Sequence, residues 1–240
     1  MPAILAFALV VLMQSLPSMS QSTPANSCQT KSAEIVATRA KSAINLNAAE
    51  PSSEWDRAKA VSFCEDWQGQ NASPDRTTTV RVLWTPDMLY IRFECRYREI
   101  TVFPDSDPDG RRDHLWDKDV AETFLQPDPS RERFYKEFEV SPNGMWIDLN
   151  IGTGALVNLR SGLQRSVVTD RQAKTWAAEL AIPMKSLTPV FNPTAEWRLN
   201  FFRVEGGAEP RFYSAWQPTS TDKPNFHVPK AFGRMRFAEE

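Results

Sequence analysis

A chain of 240 residues with 41% hydrophobic and 24% charged side chains has the makeup of an ordinary globular protein, long enough for one large domain. The formal charge of −2 and the scatter of lysine and arginine leave no basic stripe for nucleic acid and disfavour polyanionic partners.

Residues 3–13 form an apolar run too short to cross a bilayer but suited to the core of a secretory signal, and Ser18-Met19-Ser20 supplies a small-x-small cleavage site. The expected organisation is a signal peptide over 1–20, a flexible polar lead-in over 21–32 and one domain over 33–240. The destination is then secreted or periplasmic, and no later segment of the mature chain could span a membrane. Export would bring Cys28, Cys64 and Cys95 into an oxidising compartment, where three cysteines cannot all pair internally. Cys95 ends an alternating strand and reads as a small buried hydrophobe. A bridge between Cys28 and Cys64 is left open by the sequence.

Ile44 and Leu46 alternate with polar neighbours, Pro51-Ser52-Ser53 turns the chain, and Trp55 with Ala58 is spaced for a short helical turn anchored in the core. Val80, Val82 and Trp84, then Leu89, Ile91, Phe93 and Cys95, alternate with Arg81, Arg92, Glu94 and Arg96, which predicts a hairpin with one dry and one wet face. Val120, Phe124 and Leu125 read as strand residues, yet Glu122 sits among them and would cost several kcal/mol if buried ionised without a partner. Either a cation or donor meets it, or it faces a wet groove beside Trp116 in the adjoining loop.

Phe134, Phe138 and Val140 run into Ser141-Pro142-Asn143-Gly144 and return through Trp146 and Ile147, a second hairpin. Val167 to Thr169 and Trp176 to Ile182 form a third pair, stopped by Pro183. Trp197, Leu199, Phe201 and Arg203 alternate again, as do Phe212 and Ser214, and Gly233 to Phe237 closes the chain. Many short strands, turn residues between them and no helix beyond about two turns predict an all-β, two-sheet antiparallel β-sandwich of jelly-roll type. No internal repeat signals a propeller.

Five motifs in order, Trp116-Asp-Lys-Asp-Val-Ala-Glu122, Tyr135 to Gly144, Glu179-Leu-Ala-Ile-Pro183, Trp197 to Arg203 and Phe226 to Gly233, resemble the family 9 carbohydrate-binding modules and their wider relatives over roughly Ala33 to Phe237. The resemblance implies a sandwich in which two aromatic rings clamp a sugar while a carboxylate and other polar groups bond its hydroxyls. The first tryptophan and the carboxylate fall on Trp116 and Glu122, the second tryptophan falls on Phe226, and the family's sugar-binding arginine falls near Glu139. It implies an exported, non-catalytic module that binds a sugar or polysaccharide end in glycan use.

The expected cleft is Trp116, Glu122, Arg203, Phe226, His227 and Trp216. For Arg203 the plainer alternative is to neutralise Glu122 inside the sandwich. Asp105, Asp107 and Asp109 with Gly110 have the first half of a calcium loop, but position twelve is Trp116, which excludes an EF-hand and leaves a calcium site completed by Asp113 or Asp119. Glu122 with Asp117 or Asp119, or with Glu137 or Glu139, could supply a hydrolytic pair, yet no catalytic signature marks either. The alternative from another class is a haem-binding electron-transfer sandwich, for which His114, His227, Met145 and Met184 are candidate ligands. A structural module without ligand is the third reading.

Overall fold

The computed structural model of the protein describes residues 28–104, 109–152 and 156–239. The proposed signal and residues 21–27 of the lead-in lie outside the described residues. Within them the regular structure is almost wholly strand, β1 (Glu34–Arg39), β2 (Val61–Phe63), β3 (Thr78–Trp84), β4 (Met88–Arg96), β5 (Val120–Gln126), β6 (Tyr135–Val140), β7 (Trp146–Ile151), β8 (Leu156–Asn158), β9 (Gln164–Asp170), β10 (Thr175–Pro183), β11 (Trp197–Glu205), β12 (Phe212–Ala215) and β13 (Gly233–Ala238). The one α-helix, α1 (Met184–Leu187), is a single turn that begins where Pro183 ends β10.

The strands hydrogen-bond in the order β8-β7-β6-β5-β11-β13-β1-β3-β4-β10-β9, with β12 added to β11 and β2 to β3. This path curls into two facing layers, β9-β10-β4-β3 and β8-β7-β6-β5-β11, which share one apolar interior. Phe93 of β4 meets Phe201 of β11 across it, edge to face at 5.9 Å. The all-β sandwich predicted from the alternation is therefore present, with one difference. The layers are not separate antiparallel sheets, because β1 runs parallel to both β13 and β3 and joins them.

The three predicted hairpins are formed by β3–β4, β6–β7 and β9–β10. Gly144 takes a φ of +86° in the turn between β6 and β7, as that position requires. The outer face of β3–β4, expected to be wet, is covered in part by the segment carrying Ala40, Ile44 and Trp55, which packs on Leu83, Tyr90 and Ala181. Arg92 is consequently buried, and it survives there by bonding Glu179 at 2.7 Å. Cys28 and Cys64 are disulfide-bonded with their Cα atoms 5.8 Å apart, and Cys95 is a buried free thiol.

Arg203 and Trp216 belong to this interior rather than to a cleft. Side chains alternate along β11, so when Phe202 lies opposite Glu122 on one face, Arg203 points to the other. There it is fully buried, donates to Glu205 at 2.9 Å and to the Arg96 carbonyl at 3.1 Å, and lies 5.3 Å from the Trp176 ring. It does not neutralise Glu122. Glu205 is buried too and also accepts from Arg76 and from the Arg98 backbone N–H. Trp216 is fully buried against Phe201, and it explains Gly233: a Cβ there would come within 2.7 Å of the indole.

Removing one member of a buried ion pair leaves the other charged in a dry place, a loss of about 3–5 kcal/mol. Arg203→Met should fall near the lower end, because Glu205 keeps Arg76. Denaturant unfolding is expected to show that loss, while the folded variant keeps whatever ligand the wild type binds. A variant of unchanged stability would show that Arg203 is not a structural partner.

Candidate functional site

The face of the β5–β6–β11 sheet that points away from the shared interior carries a second apolar cluster, including Phe124, Tyr135, Ile147, Leu149, Phe202 and Val204. Cross-strand register fixes what else stands there. Glu122 pairs with Glu139 and Phe124 with Glu137, so three acidic side chains share one small area of sheet. All three are buried, at 2%, 3% and 0% exposure for Glu122, Glu137 and Glu139.

A cavity of about 350 Å³ opens over this face, and Glu122, Glu137, Phe124 and Val204 line it. On one side stands the turn Leu115–Asp117, whose Leu115 is sunk in the cluster while Trp116 is half-buried and lines the cavity. Arg211 and Tyr213 of the β12 region contribute to the lining, as does the segment Pro224–His227. Phe226 lies flat on Phe202, with centroids 4.2 Å apart and planes 10° from parallel, and is only 8% exposed. His227 is exposed, and its Nδ1 is 2.6 Å from the Tyr135 hydroxyl.

The tryptophan loop is held from several directions. Arg211 donates to the carbonyls of Trp116 at 2.9 Å, Lys118 at 2.7 Å and Gly206 at 2.9 Å, so its fork is a clamp on the loop. Asp119 accepts from the backbone N–H of Thr101 and of Gly206. His114 opens the turn with a φ of +55° and its ring lies 4.9 Å from that of Trp116. An indole fixed in this way loses little freedom when something stacks on it.

Burial dominates the electrostatics. It lifts Glu122 and Glu139 well above the ordinary carboxylate range, helped by their acidic neighbours, and it raises Glu137 as well. Arg211 pulls Glu122 back and His227 pulls Glu137 back. No N–H or hydroxyl of the described residues reaches either Glu139 oxygen or Glu137 Oε2, so the hydrogen these atoms can share is a carboxyl proton. Asp119 is raised to about 6, again chiefly by burial.

Of the residues expected in the cleft, Trp116, Glu122, Phe226 and His227 line one cavity, and Arg203 and Trp216 do not. Arg211, rather than Arg203, lines the cavity with Glu122, and sequence reasoning missed it along with Tyr213. Their signal was faint: Tyr213 lies in a strand of only four residues and Arg211 just before it. Of the haem ligands considered, His227 lines the cavity, whereas Met145 and Met184 are buried in different apolar clusters. Asp105 and Asp107 lie outside the described residues. The Asp109 carbonyl is bonded by Trp146 and Arg165, and among the described residues no group of three or more acidic, histidine or cysteine side chains is placed to hold a metal.

Acids that hold protons more tightly folded than unfolded make stability fall as pH rises, from the unfolded carboxylate range near 4 up through their folded values. Asp119 and the three glutamates all act in this direction. Asp75, lowered to about 2 by Arg98, works the other way but below pH ~4. The unfolding free energy should therefore decline as pH rises from about 4 through at least 6, and Glu139→Gln should flatten that decline and raise the melting temperature above it. Stability that climbs across this range would show that the acids are ionised and partnered.

Comparisons with known proteins agree with this fold. The model of the family described as carbohydrate family 9 binding domain-like matches residues 48–240. A protein of Arthroderma benhamiae named "Extracellular protein" is 25% identical over 182 residues, covering 68% of this chain and 80% of its own. A family 9 module from Caldicellulosiruptor kristjanssonii, solved with glucose, has a TM-score of 0.62 at 14% identity and covers 86% of this chain and 96% of that one. A family 9 module from the same organism, solved with cellotriose, gives 0.60 at 13%, covering 86% and 94%. A structure from Bacteroides uniformis ATCC 8492 gives 0.66 at 13%, covering 85% and 99%. The chain belongs to the carbohydrate family 9 binding domain-like family.

Proposed function

We propose that the protein is an exported, non-catalytic module that binds the end of a carbohydrate in the cavity between Trp116 and the Phe226 segment. The single observation that carries this reading is an indole, on a loop clamped by Arg211, that lines one 350 Å³ cavity together with carboxyl groups. A pyranose has C–H-rich faces and a hydroxyl edge, so an aromatic ring supplies dispersion and apolar contact while fixed polar groups select hydroxyl geometry. Phe226 is mostly covered by its stacking on Phe202, so it serves as the wall against which the sugar edge rests, and Trp116 and Tyr213 offer the accessible ring area.

The neighbours solved with glucose and cellotriose support a sugar-sized guest. Export is supported by the apolar run of residues 3–13, by the Cys28–Cys64 disulfide, which suits an oxidising compartment, and by the name of the Arthroderma relative. A non-catalytic role is supported by the placement of Glu122, Glu137 and Glu139 side by side on one sheet face, where hydrolysis would want two carboxyls flanking a bond. Together these make the chain a device for holding an enzyme or a cell surface close to a glycan.

Trp116→Ala is expected to lose at least tenfold in retention on a polysaccharide in affinity electrophoresis, with the circular dichroism spectrum of the folded domain unchanged. Leu115 and Arg211 still hold the loop in that variant, so the loss would report the ring itself. Retention equal to the wild type would remove Trp116 from the site.

A further inference from the structure

The donors and acceptors around the cavity do not balance. A sugar hydroxyl both gives and takes hydrogen bonds, and a site for neutral sugars usually offers some of each. Here the two cationic side chains of the lining are turned to other partners. Arg211 directs Nε, Nη1 and Nη2 at three backbone carbonyls, and His227 Nδ1 is tied to the Tyr135 hydroxyl. Carboxyl groups outnumber those cations: Glu122 and Glu137 line the cavity from beneath, Glu139 backs them, and Asp117 and Glu209 line it too. Glu137 is 3% exposed and its Oε2 meets no donor of the described residues.

We infer that the cavity takes a sugar carrying a protonated amino group, a glucosamine-type residue whose ammonium sits against Glu122 and Glu137. The inference rests on the carbohydrate reading of the same site and narrows it. An ammonium brings three donors and no acceptor, which is what the floor lacks, and a charge-assisted bond to a carboxylate is about twice as strong as a neutral one. Such a cation would also repay the burial of the acids, because it lets them ionise against a partner rather than against each other. The half-buried indole of Trp116 argues for a ring-shaped guest rather than a bare ion, and among the described residues no acidic group is arranged to hold a metal. A neutral N-acetyl group would put an amide where the ammonium belongs and forfeit the charge.

The test is isothermal titration of the whole chain near pH 6.5 with three trisaccharides of the same β-1,4 linkage: the glucosamine trimer, its N-acetylated form and cellotriose. The glucosamine trimer is expected to bind at least tenfold more tightly than either neutral sugar, and in Glu137→Gln the ratio of its affinity to that of cellotriose should fall toward one. Cellotriose binding as tight as the glucosamine trimer would overturn the inference and leave the carbohydrate reading standing. Binding of none of the three would overturn both. The wild-type comparison needs no variant, so a misfolded Glu137→Gln would not shield the inference.

Discussion

The register between β5 and β6 is the constraint on which the rest of the molecule depends. Because Glu122 lies opposite Glu139 and Phe124 opposite Glu137, the outer face of this strand pair must accommodate three carboxyl groups within an apolar surround. Left ionised and unpartnered, each would cost several kcal/mol. The fold answers in three ways at once: the acids hold their protons, Arg211 and His227 lie near enough to moderate Glu122 and Glu137, and a cavity opens over the patch. A cavity over buried acids is costly to keep unless a guest uses it, and this links the energetics of the sheet to the function of the domain.

The same strands carry the opposite arrangement on their inner face. Arg203 and Glu205 sit between the layers as a paired and hydrogen-bonded unit, with Arg76 and the Arg98 backbone completing the set. Two polar clusters thus share β11 or its neighbour without meeting, separated by one sheet. Arg211 belongs to neither, since its three donors close on loop carbonyls. Its contribution is to fix where Trp116 stands, and so the loop arrives at the cavity already ordered.

Much of this was legible in the residues. Period-two runs such as Val80-Val82-Trp84 and Phe134-Phe138-Val140 announced hairpins, and the awkward Glu122 announced a site, because a carboxylate inside an apolar run has few places to go. What the residues could not carry was which face each strand presents. Arg203 looked like a partner for Glu122 because both occur in strands of the right type, and only the pairing of Phe202 with Glu122 turns Arg203 inward. Trp216 misled for a related reason: an aromatic near the end of a short strand could fill the core or line a cleft, and the contact with Gly233 that decides it spans the chain. The covered outer face of β3–β4 was hidden likewise, since Trp55 and Leu83 are brought together by tertiary packing. The parallel β1 was unreadable, as Ile35 and Ala37 pair with a strand some 200 residues away, and no local pattern records that.

Register also explains why site and core cannot be varied independently. A shift of β11 by one residue against β5 would exchange faces, driving Arg203 out toward the acids and Phe202 in among the core aromatics. The exchange would give Arg203 the partner Glu122, but it would carry Glu205 outward with it, away from Arg76 and toward the other acids, and strip Phe226 of the ring it stacks on. Trp216 adds a steric lock, because its indole fits only over a residue without Cβ at position 233, and β13 is thereby held beside β11 in one alignment. The apolar interior thus dictates which way Glu122, Glu137 and Glu139 face, and the chemistry of the cavity is a consequence of how the core is packed.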